Sequence, residues 1–264
     1  MIQVICITTG LYEEYFKGFI ESFENFFPGE KKLITLLTDN LSLKQKFSYN
    51  KNIIGIQTIF FPHLLYPTIN LNKPVLFNAY IDKNAEYSFI VDVDTIFMKK
   101  EKEFWHLLCE VINDRNILLT KHPFYSMTKD SALWGMTKDE LIHNLYTKNL
   151  TEKDERFSSY IPDVEYDYVN SSFWGGKVDA VTIFNDSIIT LAKQDLVRYP
   201  YGWHIPNFMD ENYVNKIHWL QQRGEYDLVK LHVDAYSILG GVESNTADSV
   251  FMYQKNLLNG EKAY

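Results

Sequence analysis

The sequence contains few cysteines, no surplus of basic residues and no long apolar run, and each absence excludes a class of protein. Two cysteines, Cys6 and Cys109, are too few for a disulfide scaffold or a cysteine zinc site. The 34 acidic residues outnumber the 26 basic ones, which argues against a general nucleic-acid-binding protein. No stretch approaches the roughly 20 apolar residues of a membrane span. No signal peptide is visible at the N-terminus, so we expect a cytoplasmic protein, or one attached peripherally to the inner membrane.

Several well-known catalytic and nucleotide-binding motifs are also missing. There is no G-x-G-x-x-G, no G-x-x-x-x-G-K-[ST], no G-x-S-x-G and no H-E-x-x-H, and the seven histidines lack metal-ligand spacing. Aromatic residues, in contrast, are abundant, with 18 Tyr, 18 Phe and 5 Trp. Aromatic side chains build cores, and they also stack on sugar rings and bases.

The first half of the chain alternates predicted strands with predicted helices, which is typical of an α/β fold with a mostly parallel sheet covered on both faces. No linker divides the chain, so we expect one domain over residues 1–264. Apolar periodicity predicts strands at 2–9, 32–38, 53–60, 87–93, 116–122, 168–174 and 228–232. It predicts helices from Tyr12 to about residue 27 and at 75–81, 103–111, 138–146, 179–196 and 212–222.

Polar residues gather where these predicted strands end. Thr8-Thr9-Gly10, Asp92-Val93-Asp94 and His122 each follow an apolar strand. Ligands of parallel α/β sheets bind at the carboxyl ends of the strands, so we expect these segments to share one crevice.

Asp92-Val93-Asp94 is the most specific local feature. Side chains at positions i and i+2 of a strand lie about 7 Å apart, so both carboxylates hold one ion directly only if the chain turns there. An oxygen-only ligand set favours Mg²⁺ or Mn²⁺ bridging a diphosphate. The alternative is a strand that ends in a solvated acidic turn.

Four other segments have two interpretations each. Asp210-Glu211 begins a predicted helix, where acids complement the helix dipole, and the same two carboxylates could instead face a sugar. Asn170-Ser171-Ser172, followed by Gly175-Gly176, either lets a ligand approach the backbone closely or is a strand before a tight turn. His122 and His232 are strand-end ligand contacts, or else a capped turn and a buried histidine.

Taken in order, these segments resemble glycosyltransferase family 6, which includes the histo-blood-group A and B transferases, the α1,3-galactosyltransferases and smaller bacterial and phage members. The resemblance runs from about Ile5 to Asn215, most of the chain. Without a membrane anchor, the chain looks like a bacterial or phage member. The segments that carry the resemblance are Ile7-Thr8-Thr9-Gly10-Leu11-Tyr12, Thr38-Asp39, Val91-Asp92-Val93-Asp94, His122-Pro123, Tyr160-Ile161-Pro162, the run from Asn170 to Gly176, Asp210-Glu211 and Asn215-Lys216.

The resemblance implies a GT-A-type fold with a nucleotide-binding part at about 1–123 and an acceptor and catalytic part at about 124–264. Mn²⁺ (or Mg²⁺) is implied at Asp92 and Asp94, and Glu211 is implied as the catalytic carboxylate. The implied donor contacts are Ile7, Thr8, Thr9, Tyr12, Asp92, Val93, Asp94, Asn170, Ser171, Ser172, Asp210 and Lys255. The implied acceptor contacts are His122, Phe208 and Glu211. The chain departs from the family at Phe208-Met209, where many members have Trp-His, and at Lys255-Asn256, where they have Lys-Asn-His.

We therefore expect retaining transfer of galactose or N-acetylgalactosamine from a UDP-sugar to a hydroxyl of an oligosaccharide or glycolipid, in α1,3 linkage. Two alternatives stay open at this point. A glycogenin-like transferase would use His232 as a further metal ligand. A sugar- or nucleotide-binding module would bind the same ligands without turnover.

Overall fold

The protein is described by a computed structural model that covers residues 1–26, 30–64, 68–98, 111–112, 116–147, 154–162, 166–198, 209–234, 237–239 and 252–254. The helices in these ranges are α1 (Glu13–Asn25), α2 (Thr68–Tyr80), α3 (Lys138–Thr147), α4 (Val178–Arg198) and α5 (Met209–Gln222). The strands are β1 (Ile2–Thr8), β2 (Lys32–Thr38), β3 (Ile54–Phe60), β4 (Tyr87–Val91), β5 (Thr95–Phe97), β6 (Asn116–Lys121), β7 (Ala132–Leu133), β8 (Met136–Thr137), β9 (Val169–Lys177), β10 (Lys230–Asp234), β11 (Ser237–Leu239) and β12 (Met252–Gln254).

A seven-stranded, mostly parallel sheet forms the centre of the fold, which confirms the predicted α/β class. Its strand order is β10-β6-β9-β4-β1-β2-β3. The pairs β1–β2, β1–β4, β2–β3 and β6–β10 are parallel, and β9 is antiparallel to both β4 and β6. Because β9 joins β4 to β6, strands from both sides of residue 123 build one sheet.

Helices cover both faces of this sheet, as the alternating pattern predicts. Successive residues of β1 point to opposite faces: Val4 and Cys6 pack with the aromatic face of α1, and Ile5 packs in the cluster that contains residues of α4 and α5. On α1 this face consists of Phe16, Phe19 and Phe23, which recur at helical spacing and are all fully buried. No helix within the described ranges is long and apolar enough to cross a bilayer.

Some predicted elements differ from the structure in their bounds, and one strand lies where none was predicted. The helix predicted at 75–81 begins at Thr68 and continues through Pro74. The strand predicted at 87–93 ends at Val91, because the next residues form a turn. The short strand β12, in a region without clear periodicity, pairs with β5 and β11 in a small second sheet. The helix predicted at 103–111 lies outside the described residues except for its last residue.

Gly175-Gly176 is not the turn that we considered for it. Both glycines lie inside β9, paired with β4 on one side and β6 on the other. A Cβ atom on Gly175 would lie 2.8 Å from the carbonyl oxygen of Ser88, and one on Gly176 would lie 2.5 Å from that of Asn116. The glycines therefore serve close packing of the sheet.

Candidate functional site

The predicted site segments meet at one edge of the central sheet. The parallel strands β1, β4 and β6 end there at Thr8, Val91 and Lys121, and the antiparallel strand β9 begins there at Val169. The first turn of α5 reaches the same edge, where Glu211 contacts Ser171. Thr8-Thr9, Asp92-Val93-Asp94 and His122 thus share one end of the sheet, as we expected from the strand ends.

The chain turns at Asp92-Val93-Asp94, which is the condition under which both carboxylates can face one ion. The amide of Asp92 donates to the carbonyl of Ser172 at 2.8 Å, and the amide of Thr95 donates back to the carbonyl of Asp92 at 3.0 Å. Val93 is buried, whereas Asp92 and Asp94 are half-buried. The valine anchors the turn and leaves the two carboxylates accessible to a ligand.

Lys73, on α2, joins this turn to the second acidic pair. Its Nζ lies 2.9 Å from Oδ1 of Asp92 and 3.5 Å from Oδ2 of Asp210. Burial alone lowers the pKa of Lys73, but the charges of Asp210 and Asp92 raise it above its ordinary value. The ammonium group therefore stays charged at the centre of the site.

Asp210 is the most deeply buried carboxyl group of the site. Its side chain is 1% exposed, and it forms an ion pair with Lys73. Burial raises the pKa of Asp210, and Asp92 adds to this, whereas the positive charge of Lys73 and hydrogen bonding from the Ser171 side chain oppose it. Because an ionised carboxyl group has about four acceptor positions, Asp210 is suited to binding the hydroxyls of a ligand as well.

Glu211, next to Asp210 in the first turn of α5, is held by three donors. Tyr168 Oη donates to Oε1 at 2.7 Å, and the amide and hydroxyl of Ser171 donate to Oε2 at 2.9 and 3.1 Å. Burial raises the pKa of Glu211, and the bonds from Ser171 and Tyr168 lower it in part. Burial also raises the pKa of Tyr168 well above its usual range, so its phenol keeps the proton that it donates.

A wide bulge in β9 presents the serines to the site. In the pairing of β6 with β9, Leu119 faces Trp174 while the next residue, Thr120, faces Asn170, so residues 171–173 have no partner on β6. The side chain of Asn170 accepts from the amide of Ser172 at 2.6 Å and stabilises the bulge.

Asn215 fixes α5 against the start of β9. Its side-chain amide donates to the carbonyl of Val169 and accepts from the amide of the same residue, both at 2.9 Å. It also donates to the carbonyl of Glu211 one helical turn earlier. The helix start and the bulge are therefore one rigid unit.

The loop after β1 forms the other side of the site. Gly10 has φ 58°, and its amide donates to Oδ2 of Asp39 at 3.2 Å. Oγ1 of Thr9 lies 3.2 Å from Nδ1 of His63. Burial, with the charges of Asp94 and Asp92, raises the pKa of Tyr12 to about 12.

Two further predicted donor contacts lie at the end of β1, directly before this loop. Ile7 is half-buried near the end of β1, and Thr8 is buried with no hydrogen-bond partner for its hydroxyl among the described residues.

His122 lies at the far side of the same edge and caps a short helical turn, as the turn interpretation predicted. Its Nδ1 accepts from the amide of Phe124 at 3.4 Å, and its ring packs edge-on against Phe124 and Tyr168, with centroids 4.2 and 6.1 Å away. Tyr168, which contacts the ring of His122, also donates to Glu211.

The structure does not bring His232 to the acidic turn. His232 lies in β10 opposite Leu118 of β6, and β6 and β9 separate β10 from β4. Adjacent strands are about 4.8 Å apart and three spacings separate β10 from β4, so His232 lies roughly 14 Å from β4 across the sheet. Of the other predicted contacts, Phe208 and Lys255 lie outside the described residues.

The residues fit an open metal site better than a closed one. Within the described ranges, no three His, Cys, Asp or Glu side chains gather closely enough to hold an ion by themselves. A Mg²⁺ ion that binds together with a phosphate ligand needs only one or two carboxylates, because phosphate oxygens and water complete the shell. Asp92 and Asp94, accessible at a turn, supply such a pair.

The sequence patterns did not predict Lys73 or Tyr168 as site residues. The signal for Lys73 is a single charge within the apolar run Leu71-Asn72-Lys73-Pro74-Val75-Leu76-Phe77. A lysine there is either solvent-facing or paired with a buried acid.

No protein-family model matches the sequence, and no curated protein matches it significantly. The resemblance to glycosyltransferase family 6 therefore stays a prediction.

Proposed function

We propose that this chain is a retaining, UDP-sugar-dependent glycosyltransferase that transfers galactose or N-acetylgalactosamine to a glycan hydroxyl in α1,3 linkage. The observation that carries the proposal is the contact of Lys73 with Asp92 and Asp210, which unites two acidic pairs at the ligand-binding edge of an α/β sheet. One pair is accessible at a turn, and the other is preorganised in a helix start.

The nucleotide is proposed to lie along the loop after β1. Ile7, Thr8, Thr9 and Tyr12 would contact the uracil and ribose, and Tyr12 lies beside the acidic turn where the diphosphate follows. The bond from Gly10 to Asp39 holds this loop in place before the ligand binds.

The charge balance of the site accounts for a divalent cation. The charges of Asp92, Asp210 and Glu211 act on the single ammonium of Lys73 in the described part of the site, and Asp94 lies in the same turn as Asp92. A diphosphate entering such a site would meet net negative charge. Mn²⁺ or Mg²⁺ held by Asp92 and Asp94 would neutralise that charge and make UDP a better leaving group.

The donor sugar is proposed to lie between the turn and α5. Asp210 would accept from its hydroxyls, and Asn170, Ser171 and Ser172, at the bulge of β9, would line the space next to it. Glu211, held by three donors, faces the anomeric carbon with a fixed orientation.

Glu211 supports either of two retaining routes. In the covalent route, a Glu211 oxygen bonds to the anomeric carbon as UDP leaves with the electron pair; the acceptor oxygen then displaces Glu211 and its proton passes to UDP. In the front-side route, the acceptor hydroxyl attacks from the side of the departing UDP and gives its proton to the leaving oxygen. The Glu211 charge then stabilises the oxocarbenium-like carbon.

Donor hydrolysis by the purified protein tests this proposal. With Mn²⁺, UDP-galactose or UDP-N-acetylgalactosamine should slowly release UDP in water, and faster when a glycan acceptor is present. UDP-glucose serves as the control donor. A protein that binds the two UDP-sugars but releases no UDP with any member of a glycan array would instead be a binding module.

A further inference from the structure

Trp134 occupies an unusual position in the hairpin of β7 and β8. It is the first of the two turn residues between these strands, with φ 52°, and Gly135 follows with φ 76°. Two successive positive φ angles are typical of a type I′ turn, in which Asn, Asp or Gly is strongly preferred. The backbone of a large aromatic residue in the left-handed region is strained. A tryptophan at this position therefore does not stabilise the turn.

The side chain of Trp134 does not compensate for this strain by burial. It is 52% exposed, and its closest described ring contact is edge-on to Phe124, with centroids 6.2 Å apart. An exposed apolar ring in a strained turn suggests a role in binding.

The hairpin holds Trp134 firmly. Leu133, which precedes it, is buried in a cluster with Phe124 and Tyr168. After β8, Thr137 and Glu140 form a reciprocal capping box at the start of α3, with the Thr137 amide donating to Glu140 at 2.8 Å. Lys138 donates to the carbonyls of Tyr125 and Met127, at 2.7 and 2.8 Å. The hairpin is thus fixed to the turn that follows His122.

A continuous line of aromatic rings connects Trp134 to the catalytic carboxylate. Tyr168, which donates to Glu211, is 6.1 Å from His122, and His122 is 4.2 Å from Phe124. Phe124 then contacts Trp134. The line runs from the reacting end of the site, through the proposed acceptor contact His122, to the surface.

We propose that Trp134 is an acceptor-binding residue that stacks on a sugar beyond the one that receives the transferred hexose. This rests on the proposed transferase function. Pyranose rings carry a face of C–H groups that packs on a tryptophan ring, and a rigid aromatic side chain loses little conformational entropy on binding. Because Trp134 lies two ring contacts beyond His122, it would select acceptors of two or more sugars.

Two substitutions separate the ring from the backbone conformation. Trp134→Asn removes the ring and places a residue that tolerates positive φ, so the fold should be equally or more stable. Trp134→Tyr keeps an aromatic ring. The control is Leu228→Asn, because Leu228 is 53% exposed and precedes β10, whose start lies beside Asn116 at the opposite end of the sheet from His122.

Transfer kinetics should be measured with methyl β-galactoside, lactose and lacto-N-neotetraose as acceptors. Trp134→Asn should raise the KM for the tetrasaccharide by about tenfold or more, the range of one lost stacking contact. The KM for the methyl galactoside and the rate of donor hydrolysis should equal those of the control, and the thermal midpoint should not fall below that of the control. Trp134→Tyr should restore most of the tetrasaccharide affinity. Equal effects on all three acceptors, or none, would overturn the proposal.

A binding measurement separates this proposal from the transferase function. Saturation-transfer NMR without donor should show the inner sugars of lacto-N-neotetraose in contact with the wild-type protein and not with Trp134→Asn. That result supports stacking of Trp134 on the acceptor even if no transfer is ever observed. Wild-type protein that binds the tetrasaccharide no better than the methyl galactoside would contradict it.

Discussion

The two acidic regions of the site use the same chemical groups in opposite surroundings. The strand acids, Asp92 and Asp94, follow a buried strand and turn towards solvent, and 36% of the Asp92 side chain is exposed. The helix acids, Asp210 and Glu211, lie in the first turn of α5, where Asp210 is 1% exposed and Glu211 has three donors. Accessible carboxylates are suited to binding a cation that enters and leaves with the substrate. Carboxylates held in a fixed orientation are suited to stabilising charge in the transition state.

Lys73 is the residue through which the two regions depend on each other. It forms an ion pair with one acid of each pair, and without it the buried carboxyl of Asp210 would lose its ion pair. The strand acids should therefore govern affinity for UDP and metal, and the helix acids should govern turnover. Single substitutions in each region test that division.

Glu211→Gln should abolish most of the transfer while leaving UDP affinity and the fold intact. A charge that acts mainly in the transition state contributes roughly 10²–10⁴ in rate, so kcat should fall by about that factor. The matched control is Glu225→Gln, an exposed glutamate paired with Arg223. Transfer by Glu211→Gln within a few-fold of wild type would mean that the carboxylate serves only the start of the helix.

Adding azide to Glu211→Ala sharpens the same test. A β-glycosyl azide product would show that the space opposite UDP accepts a nucleophile, which favours the covalent route.

Lys73→Met should destabilise the protein, because it leaves Asp210 buried without its cation. Breaking a buried ion pair on one side costs about 3–5 kcal/mol of unfolding free energy. The double variant Lys73→Met/Asp210→Asn should recover a large part of this loss, since the deeply buried carboxylate is then gone and Asp92, which also loses Lys73, is 36% exposed. Urea unfolding of both variants measures it, and equal stability of the single and double variants would argue against the pairing.

Asp94→Asn should weaken metal-dependent UDP binding and affect turnover through that step. A lost contact with a charged group costs about 1.5–3 kcal/mol, so we expect roughly 10–100-fold weaker UDP binding by calorimetry in Mn²⁺. EDTA should remove the difference by weakening the wild type as well, and the exposed Asp227→Asn is the control. Equal UDP affinity with and without a divalent ion would exclude the metal role of the strand acids.

Ser172→Gly should shift donor choice towards UDP-N-acetylgalactosamine. Wild type should favour UDP-galactose, because the Ser172 side chain, on the β9 bulge, would limit space near the C2 substituent of the donor. One small group in a pocket contributes about 1–3 kcal/mol, and we expect a change in the kcat/KM ratio of roughly tenfold, at its lower end. Ser172→Ala keeps the size and should resemble wild type. A wild-type preference for the acetylated donor that Ser172→Gly leaves unchanged would refute the size argument.

Tyr168→Phe should move the acid limb of the rate profile to higher pH. Its hydrogen bond stabilises the ionised form of Glu211 and so lowers the pKa of that carboxyl; without the bond the pKa rises. Ionised Glu211 is needed, so activity is then lost at a higher pH as the solution is acidified. One hydrogen bond contributes ~1 kcal/mol, so kcat should also fall by about fivefold. Tyr226→Phe, remote and bonded to Ser187, should change neither.

The parallel strands and their polar ends were predictable because each depends on a local pattern. The buried run before Asp92 and the switch to helical spacing after Tyr12 are visible in a few residues each. The start of α5 at Asp210-Glu211 was predictable for the same reason. The strand acids and helix acids therefore appear in the sequence as two separate features.

Other parts of the site depend on contacts between distant segments. Lys73 meets Asp210 only because α2 and α5 cover the same face of the sheet, and no local pattern encodes that pairing. Gly175-Gly176 has the composition of a turn, yet it lies within β9 because two neighbouring strands approach too closely for a Cβ atom. The strained Trp134 likewise contradicts local turn preferences, which is why periodicity did not single it out.

The anomeric configuration of the product shows directly whether the chain is a retaining transferase that depends on Glu211. Wild-type protein, Mn²⁺ and UDP-galactose, or UDP-N-acetylgalactosamine, should be incubated with a glycan acceptor and followed by proton NMR from the first minutes. We expect the wild-type protein to give a new α-linked hexose with the small H1–H2 coupling of retention. We expect no such signal from Glu211→Gln. A β-linked product, or equal α-linked product from wild type and Glu211→Gln, would contradict it.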